Sequence, residues 1–325
     1  MGSSRTAATG LGIAVLSAAT FATSGSFADS LLAAGWTPGG AVTVRIGLAA
    51  LLLTPVALVS LRGRWGALRR DAGAVLAYGL VALAGCQWCF FNAIEHVSVG
   101  VALLLEYCGV LLVVLWTWLR HGRRPGARTI VGGVLAVAGL CLVLDVFGHA
   151  HVDVVGVLWG LGAALGLAVY YVLSSRVDAA DSDALPPVAL AWAAMIVGAG
   201  VLAVAGLVGA VPFAVSTQDV HILGHAVSVV VPVLGVALIA TAVAYTTGIA
   251  AARLLGARLA SFVGLAEVLF AILWAWLLLR QVPTLVQGVG GLLVLAGIVL
   301  VRSDESDAEI APDPLPAGDL VQTRR

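Results

Sequence analysis

The chain has 325 residues, of which 61 % are hydrophobic and only 10 % charged, and its 17 basic and 17 acidic residues leave no formal net charge. A soluble domain carries about 25 % charged residues. The mean hydropathy of +1.07 therefore excludes a soluble enzyme or a nucleic-acid-binding module and leaves an all-α polytopic membrane protein.

Ten apolar runs are long enough to span a bilayer, at 7–31, 38–60, 73–94, 97–119, 128–145, 154–176, 187–210, 226–250, 257–279 and 284–301. Helices are expected, because lipid cannot satisfy open backbone groups. The first run has Arg5, an apolar core and then small residues up to Ala28, a pattern shared with secretory signals. It reads as a retained helix, since its removal would leave nine spans. All 17 basic residues are arginine, which fits a GC-rich bacterial gene. With the N-terminus placed inside, every arginine falls on the inner side except Arg45, within the second run, and Arg280, in the last outer loop. The positive-inside rule then puts both termini in the cytoplasm of a bacterial cell, with the chain in the cytoplasmic membrane. The four cysteines, Cys86, Cys89, Cys108 and Cys141, all sit in apolar runs. They read as packed thiols; the CxxC spacing of Cys86 and Cys89 lacks ligand partners nearby.

One stretch occurs twice. VGGVLAVAGLCLV from Val131 and VGGLLVLAGIVLV from Val289 are identical at eight of thirteen positions, at an offset of 158 residues. At that offset Trp116 and Trp118 fall on Trp274 and Trp276. The chain thus divides into a first repeat, 1–150, and a second, 151–302, followed by a polar tail, 303–325, that cannot bury a core and is expected to be disordered. Five spans per repeat is an odd number, so the second repeat is inverted. The loop charges agree. The loop after the fourth run carries four arginines and its mate only Arg280, while the loop before it carries none and its mate holds Arg253 and Arg258. Inverted repeats of this kind build secondary transporters with a midplane site. The paired glycines Gly132–Gly133 and Gly290–Gly291, with Gly139 and Gly297 further along, read as close-packing surfaces, suited to scaffold and to a homodimer face. No phosphate-binding glycine loop is present, so no nucleotide or other cofactor is expected.

The segment from Thr241, TAVAYTTGIAAARLLGARLASFVGLAEVLFAILWAWLL, and PTLVQGVGGLLVLAGIVLVR after it resemble the last three helices of EamA-domain transporters, of the drug/metabolite transporter superfamily. FFNAIEHVSVGVALLLEY from Phe90 and VRIGLAALLLTP from Val44 resemble the first half, and EYCGV is similar to the threonine/homoserine exporter branch. The resemblance covers roughly residues 10–302. It implies ten helices in two inverted repeats, a central cavity, and movement of small metabolites without ATP. Two departures stand out. Arg280 and Gln281 replace the family's Gly-Glu, and Val110 and Val268 stand where many members have a proline. The second departure predicts straighter fourth and ninth helices.

Ionisable groups at membrane depth cost about 2.5–3.5 kcal/mol each on insertion scales, so each needs a partner or a use. Glu106 and Glu267 each lie ten residues into their runs, one per repeat. They read either as proton or cation sites or as hydrogen-bonded packing groups. A carboxyl that takes up a proton on one side and releases it on the other lets a proton gradient drive transport. Arg45 is placed to pair with Asp29 or Glu106, to bind a substrate carboxylate, or to snorkel. Ser24, Gln87, Trp88, Asn92, Tyr107, Tyr170, Tyr171, Thr241 and Tyr245 are candidate cavity residues, with interhelical hydrogen bonding as their alternative role. The tryptophans at 116, 118, 274 and 276 read as interface anchors. His149, His151 and Asp153 form an H-x-H-x-D pattern on an outer loop. It falls short of a metal site, which needs three or four converging ligands, and reads as solvated loop. The leading function is a proton-coupled secondary transporter of a small metabolite, such as an amino acid, working by alternating access. A non-transporting scaffold or receptor subunit is the alternative from another class. An intramembrane enzyme would need a nucleophile–base pair or ligand cluster at one depth, and neither is evident.

Overall fold

The computed structural model describes residues 2–97, 99–122, 124–144, 153–176, 184–222, 225–279 and 282–310. Eight helices among them are long and apolar enough to cross a membrane, and Ala127–Val143 is a shorter apolar helix. α1 (Gly2–Ala33) turns into α2 (Pro38–Ser60), which starts with Thr37 as its cap and Pro38 in its first turn, where no backbone donor is needed. The short α3 (Trp65–Arg70) and α4 (Ala72–Ala77) run through a π-helical stretch, Tyr78–Gly85, into α5 (Cys86–Ile94). α6 (Val99–Tyr107), α7 (Gly109–His121) and α8 (Ala127–Val143) complete the first half. α9 (Val154–Ser174) and α10 (Pro187–Leu207) open the second. The strands β1 (Val220–Ile222) and β2 (His225–Val227) then pair antiparallel, with Val220 opposite Val227, a small addition to the all-helical expectation. α11 (Val230–Ala237), a second π-helical stretch (Leu238–Val243), α12 (Ala244–Gly264), α13 (Ala266–Leu279) and α14 (Leu285–Ile310) follow.

The runs 226–250 and 257–279 are parted at Gly256, within the apolar stretch Val230–Gly264, where the backbone is non-helical (φ 77°, ψ 164°), a conformation that L-residues rarely adopt. Elsewhere the expected boundaries are modified in three places. The fourth and ninth runs are not straighter for lacking proline. One is interrupted at Cys108, between α6 and α7, and the other at Leu265, between α12 and α13. At both breaks the hydrogen bonds tighten to the i−3 type, Leu111 N to Cys108 O at 2.9 Å and Val268 N to Leu265 O at 3.2 Å. Finally, α14 continues to Ile310 through residues expected in the disordered tail. There Asp304 Oδ2 accepts a hydrogen bond from Thr129 Oγ1 at 2.6 Å, which ties the end of α14 to the start of α8.

The duplicated glycine helices, α8 and α14, pack on each other in opposite directions. A Cβ added at Gly132 would lie 2.7 Å from Gly297 O, and one at Gly297 would lie 2.5 Å from Gly132 O; Gly139 and Gly290 repeat the relation. The glycine faces are thus closed within the chain and do not lie open for a second copy. The π-helical stretches also correspond, since Tyr78–Gly85 carried forward by the 158-residue offset overlaps Leu238–Val243. At one end of the bundle the α1–α2 corner is pinned to the 211–216 loop. Trp36 Nε1 donates to Ser216 O at 2.8 Å, and Ala214 N donates to Thr37 Oγ1 at 2.8 Å. At that end too, Asp153 caps α9 by accepting from Val155 N at 3.2 Å and lies 3.0 Å from His96 Nδ1. Asp153 is therefore engaged as a cap, while His149 and His151 lie outside the described residues.

Because the glycine seam leaves no room for a methyl group, Gly290→Val should lower the melting temperature in detergent by the equivalent of about 1–3 kcal/mol. Gly200→Ala, whose added Cβ meets nothing within 4 Å, should not lower it and should raise it slightly, since Ala favours the helix by about 0.5–1 kcal/mol. Equal melting temperatures for the two variants would show that the seam is not tightly packed.

Candidate functional site: a charged cavity between the helices

A cavity of about 350 Å³ lies among α1, α2, α5, α6, α9, α12 and α13. Its acidic and basic lining is Arg45 from α2, Glu106 from α6 and Glu267 from α13. The helix breaks place both carboxylates. Glu106 stands two residues before the break at Cys108, and Glu267 stands in the first turn of α13, two residues after the break at Leu265. The three charged groups interact electrostatically with one another across the cavity. Arg45 is 8 % exposed; its Nη1 donates to Ser24 Oγ at 2.7 Å, while its Nε is buried with no hydrogen-bond partner among the described residues. The partner that Arg45 takes is thus Ser24; the Asp29 side chain lies outside the described residues. The Cys86 thiol is within 3.4 Å of both Glu106 Oε1 and Ala163 O, so Cys86 is a cavity wall residue as well as a packed thiol.

Aromatic rings form one wall. Phe21 meets Tyr245 at 4.8 Å between centroids, Tyr245 meets Tyr170 at 5.7 Å, and Tyr170 meets Tyr171 at 4.8 Å and Tyr78 at 5.5 Å. Glycines seat the hydroxyls. A Cβ at Gly248 would overlap Tyr170 Oη, and a Cβ at Gly264 would overlap Tyr171 Oη. Tilted and edge-to-face ring pairs are favourable beyond their buried area by about 0.5–1.5 kcal/mol each, so the wall is a fixed surface.

Of the residues singled out in the sequence, Ser24, Arg45, Gln87, Glu106, Tyr107, Tyr170, Tyr171, Tyr245 and Glu267 all line this cavity. Trp88, Asn92 and Thr241 are not among its lining residues. Asn92 Nδ2 donates to Trp88 O at 2.8 Å within its own helix, and the buried Thr241 Oγ1 donates to Val236 O at 2.7 Å. The sequence reading did not pick out Ser17, Phe21, Cys86, Phe90 or the small residues of α1, Ala14, Ala18 and Ala22, which share one face at helical spacing. That stripe was the available signal, though the same pattern marks an ordinary packing face. Among the tryptophans, Trp116, Trp118 and Trp276 are 40–49 % exposed, while Trp274 Nε1 donates to Ala19 O at 2.9 Å and ties α13 to α1.

The EamA-like transporter family matches residues 8–145 and again 154–303. The chain belongs to that family. It is 25 % identical over 238 residues to the uncharacterized inner membrane transporter YicL of Salmonella typhimurium, covering 73 % of this chain and 75 % of that one. It is 35 % identical over 123 residues to the threonine/homoserine exporter RhtA of Escherichia coli K12, covering 38 % of this chain and 39 % of the exporter. It is also 30 % identical over 169 residues to the aromatic amino acid exporter YddG of Ancylobacter novellus, covering 51 % and 55 %. A solved crystal structure shares the fold at a TM-score of 0.74 and 18 % identity, covering 91 % of this chain and 98 % of the other. The family and these relatives are named as transporters, and the apolar helices make this EamA-like chain a multi-pass membrane protein.

In this member, the glycine seat under Tyr171 gives a direct test of the wall. Gly264→Ala should lower the melting temperature by displacing the ring. Adding Tyr171→Phe, which deletes the overlapping hydroxyl, should recover most of the loss. A double variant no better than Gly264→Ala would show that the ring is not held there.

Proposed function

We propose that the chain is a secondary active transporter that moves a small amino-acid-like metabolite out of the cell by alternating access, coupled to protons. The observation that carries this reading is the single cavity holding one arginine and two carboxylates inside an apolar bundle. Arg45 offers a free guanidinium edge to a substrate carboxylate, and Glu106 or Glu267 offers an oxygen to an ammonium group. The volume falls in the roughly 300–1,000 Å³ range of small-molecule sites. The aromatic wall supplies apolar area for the remainder of the solute. Proton coupling follows if one of the two like-charged carboxylates must be neutral whenever the other is charged.

The architecture we infer is ten crossings in two inverted five-helix repeats, with both termini cytoplasmic. The antiparallel glycine seam supports it, because exchanging each glycine for its repeat mate turns the Gly132–Gly297 contact into the Gly290–Gly139 contact, as a two-fold relation between the halves requires. The two corresponding π-helical stretches and the two blocks of family match support it as well. The exporter relatives support an amino acid as the cargo class and export as the direction. A site between inverted halves suits alternating access by rocking of one half against the other around it. A non-transporting scaffold has no use for a cavity that gathers three ionisable groups at this insertion cost.

Proteoliposome flux of radiolabelled threonine and phenylalanine tests the reading. Glu106→Gln and Glu267→Gln should each reduce proton-driven flux at least about tenfold, the scale of a lost charged partner, while folding yield is retained. Full proton coupling in both variants would contradict the carboxylate mechanism.

A further inference from the structure

Arg253, on α12, lies outside the central cavity yet has the same unmet need as Arg45. Its Nε and Nη2 are buried with no hydrogen-bond partner among the described residues. These two nitrogens form the side-on edge of the guanidinium, the edge that grips both oxygens of one carboxylate in a fork. A buried charged donor left unpaired is strongly unfavourable, so its position calls for an acceptor that comes and goes. The chain's own groups in electrostatic range leave that edge unfilled. Asp71 and Tyr78 are within electrostatic range of Arg253. Asp71 Oδ1, however, is held by Arg70 Nε at 3.4 Å, and Tyr78 Oη accepts from Ser174 Oγ at 3.3 Å.

Two further observations connect this arginine to the cavity. Ala251 on α12 lines the cavity, and Arg253, two residues on, leaves the opposite side of the helix, in electrostatic range of Tyr78. Tyr78 in turn packs against the cavity-lining Tyr170 at 5.5 Å between ring centroids. Three residues beyond Arg253, the helix breaks at Gly256, whose φ of 77° and open surroundings make it a place where the segment can pivot.

We propose that Arg253 is a second carboxylate station, joined to the cavity through the Tyr78–Tyr170 ring pair, which exchanges the acidic group of the transported solute with Arg45. The proposal rests on the transport reading above and adds to it that the solute carries a carboxylate and that the path contains two arginine stations in series. Arg45 meets the solute within the cavity, and Arg253 meets it on the face of the bundle that carries Asp71 and Ser174.

The experiment compares threonine and phenylalanine with their uncharged-end amides, threoninamide and phenylalaninamide, in right-side-out and inside-out vesicles. Arg253→Gln should raise the half-saturation concentration of the acid about tenfold from the Asp71 face and less than about twofold from the opposite face, with no change for the amide. Arg253→Lys should keep most of that loss, because an ammonium cannot form the fork. Asp71→Asn should change the acid less than about twofold, and the melting temperature of Arg253→Gln should not fall. Equal losses on both faces, or for acid and amide alike, overturn the station. So does an Asp71→Asn variant that reproduces Arg253→Gln, which would make the arginine a strut between α4 and α12. No flux of either solute by the unaltered protein overturns the transport reading itself, and the station with it.

Discussion

Charge kept away from water is the constraint on which the rest of this structure depends. Arg45, Glu106 and Glu267 come from three different helices, and each alone would be expelled from an apolar bundle. Brought to one cavity they compensate one another, and the cavity must then be polar enough to hold them and closed enough to exclude lipid. Ser24 and Cys86 take one hydrogen-bonding position each on Arg45 and Glu106. Under the proposed function, what is left over, a buried guanidinium edge and carboxylate oxygens, is the binding capacity of the site. On that proposal the incomplete satisfaction is the functional feature, since a fully paired triad would have nothing to offer a solute.

The backbone is arranged to deliver those groups. Both carboxylates sit beside helix interruptions that arise without proline. On the Glu106 side, Gly109 packs so closely that a Cβ there would lie 2.5 Å from Ala164 O. On the Glu267 side, Gly264 receives the hydroxyl of Tyr171. Glycine at a close helix–helix contact here marks the same place that a proline break marks by removing a hydrogen bond. The α8–α14 seam is closely packed through its glycines, and the helix interruptions lie elsewhere, at Cys108, Gly256 and Leu265.

Much of this was legible in the sequence for a simple reason. A polar or charged residue in a 61 % hydrophobic chain is a strong signal, so Arg45, Glu106, Glu267, Gln87 and the tyrosines could be picked out by chemistry alone. The glycine seam was legible because it is written twice. What was not legible depends on helical phase. Trp88 and Asn92 follow the π-helical stretch Tyr78–Gly85, and Thr241 lies inside Leu238–Val243. The wider turn shifts the helical phase after it, so that Gln87 and Phe90 line the cavity while Trp88 and Asn92 between and beyond them do not. Thr241 accordingly bonds the carbonyl five residues back, the π-helical partner. Phe21, Phe90 and the alanines of α1 carry no polar signal, and only the fold reveals that they face a cavity. The helix breaks were not legible because no proline stands at them; each lies beside a glycine in close contact with a neighbouring helix, Gly109 and Gly264.

The central claim is that one cavity binds solute and proton in exchange. Its most direct test is to load proteoliposomes of the purified protein with a pH-sensitive dye and impose a gradient of threonine or phenylalanine with no initial pH difference. The account predicts that solute movement drives a change in lumenal pH that a protonophore abolishes. Solute movement at constant lumenal pH, with the membrane shown to be proton-tight, would contradict it.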